Sequence, residues 1–221
     1  GKQSLSRLSS FVCNYDVTQI VISATYGINE LKDDLRNMYK KSGLRQQGLT
    51  FLFTDAQITN ERFLVYFNDL LSSGNIPDLF APEDKDEILN SVRHACKTAG
   101  RGESNEACYA FFLDRVRANL HVVLCFSPVG DDMRQRATKF PGLINCTVID
   151  WFQPWPAEAL MSVSKAQLSS LDLGKKEDKE SVIAFMPHSF AAVNDQCVKY
   201  LQQERRYCYT TPKSFLELLS L

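Results

Sequence analysis

Four short runs of apolar, β-forming residues recur along this chain of 221 residues, and helical patterns separate them. The runs are almost continuously apolar, which is typical of strands buried on both faces of a parallel sheet. Strands that alternate with helices pair in parallel, and the helices pack on the sheet. The sequence therefore predicts an α/β fold. The predicted strands are residues 19–24, 49–54, 120–126 and 146–150.

Helices are predicted between these strands, because apolar residues recur there every three or four positions. One helix places Leu31, Leu35 and Met38 on the same face, with Asn29 as its N-cap. The other helices predicted in this part of the chain are residues 4–13, 61–71 and 105–118.

The composition changes at Gln153-Pro154-Trp155-Pro156, where two prolines in three residues interrupt regular structure. We predict an α/β part over residues 1–153, a small helical subdomain over residues 154–211, and a further helix over residues 212–221. The helical patterns beyond the prolines cover residues 157–168, 182–206 and 212–221, with a charged spacer at residues 173–180.

The net charge is −1, so the chain has no global basic field to attract nucleic acid or an anionic membrane. No apolar stretch approaches the ~20 residues needed to cross a bilayer. We therefore expect neither nucleic acid nor a membrane as a partner. The seven cysteines include no C-x-x-C pair, which favours reduced, mostly buried thiols in a cytosolic compartment over zinc or redox sites.

The first four residues, Gly1, Lys2, Gln3 and Ser4, lead directly into a predicted helix. They match the end of the P-loop pattern G-x-x-x-x-G-K-[ST], in which backbone N–H groups and the lysine bind phosphates. Gln3 occupies the position of the usual Mg²⁺ ligand, so that ligand is either absent or supplied by Ser4. The alternative is an ordinary helix capped by serine.

Two predicted strands end in polar residues, at the sheet edge where ligands of parallel sheets bind. Thr54 and Asp55 follow one strand and form a Walker-B pattern with one acid of two. Ser127 follows the next strand and is a candidate donor to a terminal phosphate. The alternatives are that Asp55 caps the following helix and that Ser127-Pro128 forms a turn.

Several longer stretches carry a family resemblance. They are GKQSL at 1–5, FLFTDAQI at 51–58, NLHVVLCFSPVG at 119–130, FPGLIN at 140–145, IDWFQPWPAEAL at 149–160 and YTTPKSFLELL at 209–219. Their order and spacing resemble the fourth AAA+ module of dynein heavy chains of the axonemal type, over essentially the whole chain.

The resemblance assigns roles to individual residues. Lys2 is the P-loop lysine, Thr54 and Asp55 occupy the Walker-B acid positions, and Ser127 occupies the sensor-I position that usually holds Asn. It implies that Gly1, Lys2, Gln3 and Ser4 bind ATP or ADP, and that Ser4 and Asp55 are the ligands of any Mg²⁺.

The family's arginine-finger position falls on Cys146, whereas Arg134 and Arg136 lie nearby but do not match it. Loss of a positioned general base costs ~10²–10⁴-fold in rate, and a missing arginine finger a further ~10³–10⁵-fold in the neighbouring site. We therefore expect a regulatory module with weak or absent hydrolysis.

The resemblance also implies a P-loop sheet that lacks its first strand, because the chain starts inside the P-loop. Such a chain by itself is expected to be weakly stable and to bind nucleotide weakly. The helix from Pro212 is expected to begin the coiled-coil stalk.

The implied partners are the neighbouring AAA+ modules, the microtubule through the stalk, and the dynein intermediate and light chains. The implied location is the cytoplasm and cytoskeleton, in the axoneme of a cilium or flagellum.

Two other functions stay open from the sequence. One is a structural ring segment that couples the motor ring to the stalk and binds no nucleotide. The other is an unrelated α/β hydrolase, which is disfavoured because the G-x-S-x-G nucleophile pattern is absent from the sequence.

Overall fold

The computed structural model describes residues 1–23, 25–127, 131–172 and 174–221. The chain forms two compact units, Gly1–Asp150 and Trp151–Leu221. The second unit contains helices α8 (Ala157–Leu168), α9 (Lys176–Glu204) and α10 (Pro212–Ser220). The elements of the first unit are α1 (Lys2–Val12), β1 (Asp16–Gln19), α2 (Ile28–Tyr39) with a π-helical turn (Lys40–Leu44), β2 (Leu49–Thr54) with a 3₁₀ turn (Asp55–Gln57), α3 (Phe63–Ser73), α4 (Pro82–Thr98), α5 (Asn105–Asn119), β3 (Leu120–Cys125), α6 (Asp132–Lys139) and α7 (Gly142–Asn145).

The strands of the first unit form a parallel sheet in the order β1-β2-β3. β2 lies in the middle, and every one of its residues is buried. Its pairing with β3 runs in register from Leu49↔Leu120 to Thr54↔Cys125. The predicted α/β fold with a parallel sheet is therefore confirmed, and the central strand has the predicted bounds.

Helices pack on both faces of the central strand. Phe51 and Phe53 point to one face, where the Phe53 ring lies 4.5 Å from the ring of Phe67 on α3. Thr50 points to the other face, and its hydroxyl is hydrogen-bonded to that of Ser10 on α1 at 2.9 Å. Because side chains alternate along a strand, this single run of apolar and threonine residues serves two helix layers.

The α2 helix begins differently from the prediction. Its N-cap is Gly27, whose N–H donates to the Glu30 carboxylate at 2.9 Å, so Asn29 is not the cap. The predicted apolar face is confirmed, since Leu31, Leu35 and Met38 are all buried.

The first predicted strand lies earlier in the chain than expected. Residues 16–19 pair with β2, whereas the predicted run was 19–24, of which residue 24 lies outside the described residues. The ladder ends because the C=O of Ile20 accepts from the side chain of Gln57 and not from a neighbouring strand. A contact from the end of β2 thus determines where β1 stops.

The predicted strand at residues 146–150 is wrong. This segment is irregular, and in the described residues the sheet consists of β1, β2 and β3. Val148 is 91% exposed, so the apolar run does not mark a buried strand.

The helices predicted from the sequence did not include α4, and they placed the start of α9 too late. No element was assigned to Pro82–Thr98, which forms α4 and buries Ile88, Leu89 and Val92 beneath a highly charged outer face. The charged spacer expected at 173–180 is largely helical, because α9 already begins at Lys176; residue 173 lies outside the described residues.

All seven cysteines are free, but only Cys96 and Cys108 are buried, so the expectation of mostly buried thiols is wrong. No helix in the described ranges is long and apolar enough to cross a membrane.

We expect Phe53→Ala to lower the free energy of unfolding by about 3–5 kcal/mol, because a fully buried ring is removed from the central strand. The measurement is urea unfolding of the chain. The matched control is Val65→Ala on α3, where the side chain is 44% exposed and a change within about 0.5 kcal/mol is expected. Equal losses for the two variants would contradict this packing.

Candidate functional site

The carboxyl ends of β2 and β3 lie side by side, because the two strands are parallel and in register to their last residues. The N-terminal end of α1 reaches the same edge. The Nζ of Lys2 donates to the C=O of Phe126 at 2.5 Å, and the N–H of Ser127 donates to Oδ2 of Asp55 at 2.5 Å. One peptide group therefore bridges Lys2 and Asp55, the two charged residues singled out from the sequence.

The remaining residues of the P-loop-like start lie in the first turn of α1. Gly1 is the N-cap and its C=O accepts from the N–H of Leu5 at 2.9 Å. Gln3 and Ser4 are exposed. The first N–H groups of an α-helix have no partner within the helix and carry its positive dipole end, so this turn presents donors suited to an anion.

Asp55 also forms an ion pair with Arg136, which the sequence does not predict. Its Oδ1 lies 2.7 Å from an Nη atom of Arg136 on α6. The Arg136 side chain is only 13% exposed, and its guanidinium lies 5.4 Å from the centre of the Phe126 ring. Both carboxylate oxygens of Asp55 are therefore engaged, one by a guanidinium and one by a backbone N–H.

Arg136 thus belongs to the site, although from the sequence it was only an arginine near the family's finger position. The signal that points to it is topological. A helix that follows β3 begins at the same sheet edge as the residue that follows β2, so its basic residues are candidates to meet Asp55. Arg134 does not share this position, since its side chain is 86% exposed.

Thr54, which occupies one of the two predicted acid positions, is hydrogen-bonded to the side chain of Gln57. Its N–H and its hydroxyl both donate to Oε1 of Gln57, at 2.8 and 3.1 Å. Gln57 in turn donates to the C=O of Ile20, so it joins the ends of β2 and β1. Gln57 is buried and was not singled out from the sequence.

The thiol of Cys125 lies at the same edge, beside Ser6 and Lys2. Burial raises the pKa of the Cys125 thiol, while the hydrogen bond with Ser6 and the charge of Lys2 act in the opposite direction. The balance is a raised pKa, which keeps the thiol protonated at neutral pH. Since the thiolate is the reactive form, Cys125 is not equipped to act as a nucleophile.

The residue predicted at the arginine-finger position is Cys146, which carries no guanidinium. Cys146 is exposed and follows the short helix α7. Arg136, one of the two nearby arginines, is directed to Asp55 of its own site.

The residues expected to hold Mg²⁺ do not fit it as they stand. Asp55 is already paired with Arg136, and Ser4 is exposed on the first turn of α1. In the described part of the chain, no hydrogen bond of the Ser4 side chain joins it to Asp55, and no group of three or more His, Cys, Asp or Glu residues is placed to hold a metal ion.

A separate cavity of about 280 Å³ lies at the carboxyl end of β1. Its lining includes Thr18, Ile20, Tyr26 and Asp34, and the Tyr26 hydroxyl donates to Asp34 at 2.6 Å. Burial raises the pKa of Tyr26, and the bond with Asp34 adds to the rise. The Tyr26 phenol therefore stays protonated and held by Asp34. Lys2 and Asp55 do not line this cavity.

Comparisons with known proteins give a consistent result. A family model described as "P-loop containing dynein motor region D4" matches residues 1–221. The chain is 51% identical to "Dynein alpha chain, flagellar outer arm" of Chlamydomonas reinhardtii, 50% identical to "Dynein beta chain, ciliary" of Heliocidaris crassispina, and 46% identical to "Dynein axonemal heavy chain 9" of Homo sapiens. Each alignment covers 100% of this chain and 5% of the relative, so the chain spans a small part of these proteins.

We expect Gln57→Leu to destabilise the first unit by about 1–3 kcal/mol or more, because it strands the buried N–H of Thr54 and the C=O of Ile20. Urea unfolding measures the loss. Gln135→Leu makes the same substitution at an exposed position on α6 and is expected to change stability by no more than about 0.5 kcal/mol. A Gln57→Leu variant as stable as this control would show that the bridge between β1 and β2 is dispensable.

Proposed function

The chain belongs to the P-loop dynein motor region D4 family, and on that premise we propose that it is a nucleotide-binding, regulatory AAA+ module of an axonemal dynein heavy chain, with weak or absent hydrolysis of its own. The observation that carries the proposal is the peptide group of Phe126 and Ser127, which brings Lys2 and Asp55 together at the carboxyl edge of the sheet.

Phosphate binding is supported by the first turn of α1. Lys2 supplies a positive charge, and the free N–H groups of the turn supply donors that suit phosphate oxygens. The contact of Lys2 with a neutral carbonyl is one that a phosphate can replace, because a charged acceptor forms the stronger hydrogen bond. ATP or ADP is therefore the proposed ligand.

The proposal of weak hydrolysis is supported by the residues at the end of β2. Thr54 has no carboxylate, and its hydroxyl is held by Gln57. Asp55 is paired with Arg136, which leaves no free carboxylate at this strand end to activate water. Absence of a positioned general base costs ~10²–10⁴-fold in rate, which is why we propose weak or absent hydrolysis in this module.

The names of the relatives support a place in a ciliary motor. The matching proteins are flagellar, ciliary and axonemal dyneins, and we extend to the parent protein of this chain a microtubule-based motor function in the cytoskeleton of the axoneme. The neighbouring AAA+ modules of the same heavy chain and the intermediate and light chains of dynein are its proposed partners.

We propose that the helical unit continues into the stalk through α10. This helix has a well-defined start, since the Thr211 hydroxyl accepts from the N–H of Ser214 and Pro212 occupies its first turn. Phe215 and Leu219 of α10 are buried in the hydrophobic core of the second unit, together with Leu160 and Leu168 of α8. A helix anchored in this way can transmit a movement of its unit along its axis to the microtubule-binding tip.

The alternative is a ring segment that binds no nucleotide and only couples the motor ring to the stalk. The observation in its favour is that Lys2 and Asp55 both have protein partners, so neither charge requires a ligand. Experimental density for nucleotide at this module in the intact motor distinguishes the two functions.

We expect Lys2→Ala in the parent heavy chain to remove nucleotide from this module and to lower the total ATPase rate by less than about tenfold, ~1.4 kcal/mol in the activation free energy. The reason is that the lysine is a phosphate ligand here, while most hydrolysis occurs in other modules. Cryo-electron microscopy gives the occupancy, and steady-state ATPase assays give the rate.

The control is Lys41→Ala, which removes an exposed lysine of the same unit and is expected to change neither readout. Near-complete loss of ATPase activity in Lys2→Ala would contradict a regulatory role. Unchanged nucleotide density in that variant would contradict the P-loop assignment of Lys2.

A further inference from the structure

The carboxylate of Asp55 is neutralised by the protein itself. Oδ1 faces Arg136 at 2.7 Å and Oδ2 accepts from the N–H of Ser127 at 2.5 Å. In P-loop sites, Mg²⁺ is bound by one or two carboxylates together with the phosphates of the nucleotide. At this edge Asp55 is the acid that follows β2, and Thr54 occupies the neighbouring acid position.

Arg136 is a fixed part of the site. Its side chain is 13% exposed, and its guanidinium lies 5.4 Å from the centre of the Phe126 ring. The ring of Phe126 in turn packs edge-on against Phe53 of β2 at 6.5 Å. A guanidinium held between an aromatic ring and a carboxylate has less freedom to leave than a surface arginine.

A divalent cation at Asp55 would stand beside this guanidinium. Like charges at such a distance repel, and the single negative charge of Asp55 is already balanced by Arg136. The pair of Asp55 and Arg136 therefore offers a divalent cation no net negative charge to bind.

The guanidinium also has a donor that is unsatisfied among the described residues. Arginine carries five N–H groups in a planar fork that suits phosphate oxygens. One Nη group of Arg136 binds Asp55, and its Nε–H is buried with no hydrogen-bond partner in the described part of the chain. Lys2 and Arg136 approach the two ends of the Phe126–Ser127 segment, one at the carbonyl of Phe126 and one through Asp55.

We propose that this module binds its nucleotide without Mg²⁺, with the guanidinium of Arg136 in the place of the metal and Lys2 as the second phosphate ligand. This inference rests on the proposed function, since it concerns how the same site holds ATP or ADP. It also gives a physical reason for a regulatory role, because a site without the metal lacks the cation that stabilises phosphoryl transfer.

The test is cryo-electron microscopy of the parent heavy chain with ADP, once in Mg²⁺ and once in EDTA. We expect nucleotide density at this module in both samples, with no metal density beside Asp55. Density that is present in Mg²⁺ and lost in EDTA would overturn the inference and leave the proposed function intact. Absence of nucleotide from both samples would overturn the two together.

Two variants on α6 test the role of Arg136 itself. Arg136→Gln is expected to weaken ADP binding at this module in EDTA by at least about tenfold, and Arg136→Lys is expected to weaken it less, because the charge is retained. Arg134→Gln is the matched control on the same helix, where the side chain is 86% exposed and no change is expected. Arg136→Gln binding ADP in EDTA as well as Arg134→Gln would overturn the inference.

Discussion

The peptide group between Phe126 and Ser127 holds the candidate site together. Its C=O accepts from Lys2 and its N–H donates to Asp55, so a cation and an anion are attached to the two sides of one planar unit. Arg136 extends the chain of contacts by pairing with the other oxygen of Asp55. The order cation, peptide, carboxylate and guanidinium links the three charged side chains of the site.

That geometry depends on the register of β3 against β2, which brings Cys125 beside Thr54. The register is set by burial, since every residue of β2 is buried and the Phe51 and Phe53 rings pack on α3. A slip by one residue would turn these rings toward α1 and the threonines toward α3. The hydrophobic core therefore determines the position of Asp55.

How far the sequence predicts this molecule depends on whether a feature is local. The bounds of β2 and the buried face of α2 follow from patterns within a few residues, and both are confirmed. The end of β1 does not, because it is set by a bond from Gln57 across 37 positions. The same holds for the pairing of Asp55 with Arg136, which are separated by 81 positions and meet only through the sheet topology. The strand predicted at residues 146–150 was wrong for another reason, since an apolar run does not show whether a neighbouring strand exists.

Above all, we propose that Lys2 and Asp55 face the same polyphosphate. The most direct measurement is an experimental map of the parent heavy chain with bound nucleotide, at a resolution that places the phosphate oxygens. We expect a phosphate oxygen within about 3.2 Å of Lys2 Nζ, with Asp55 and Arg136 lining the same pocket. A nucleotide bound elsewhere in the module, or Lys2 and Asp55 on opposite sides of the unit, would contradict it.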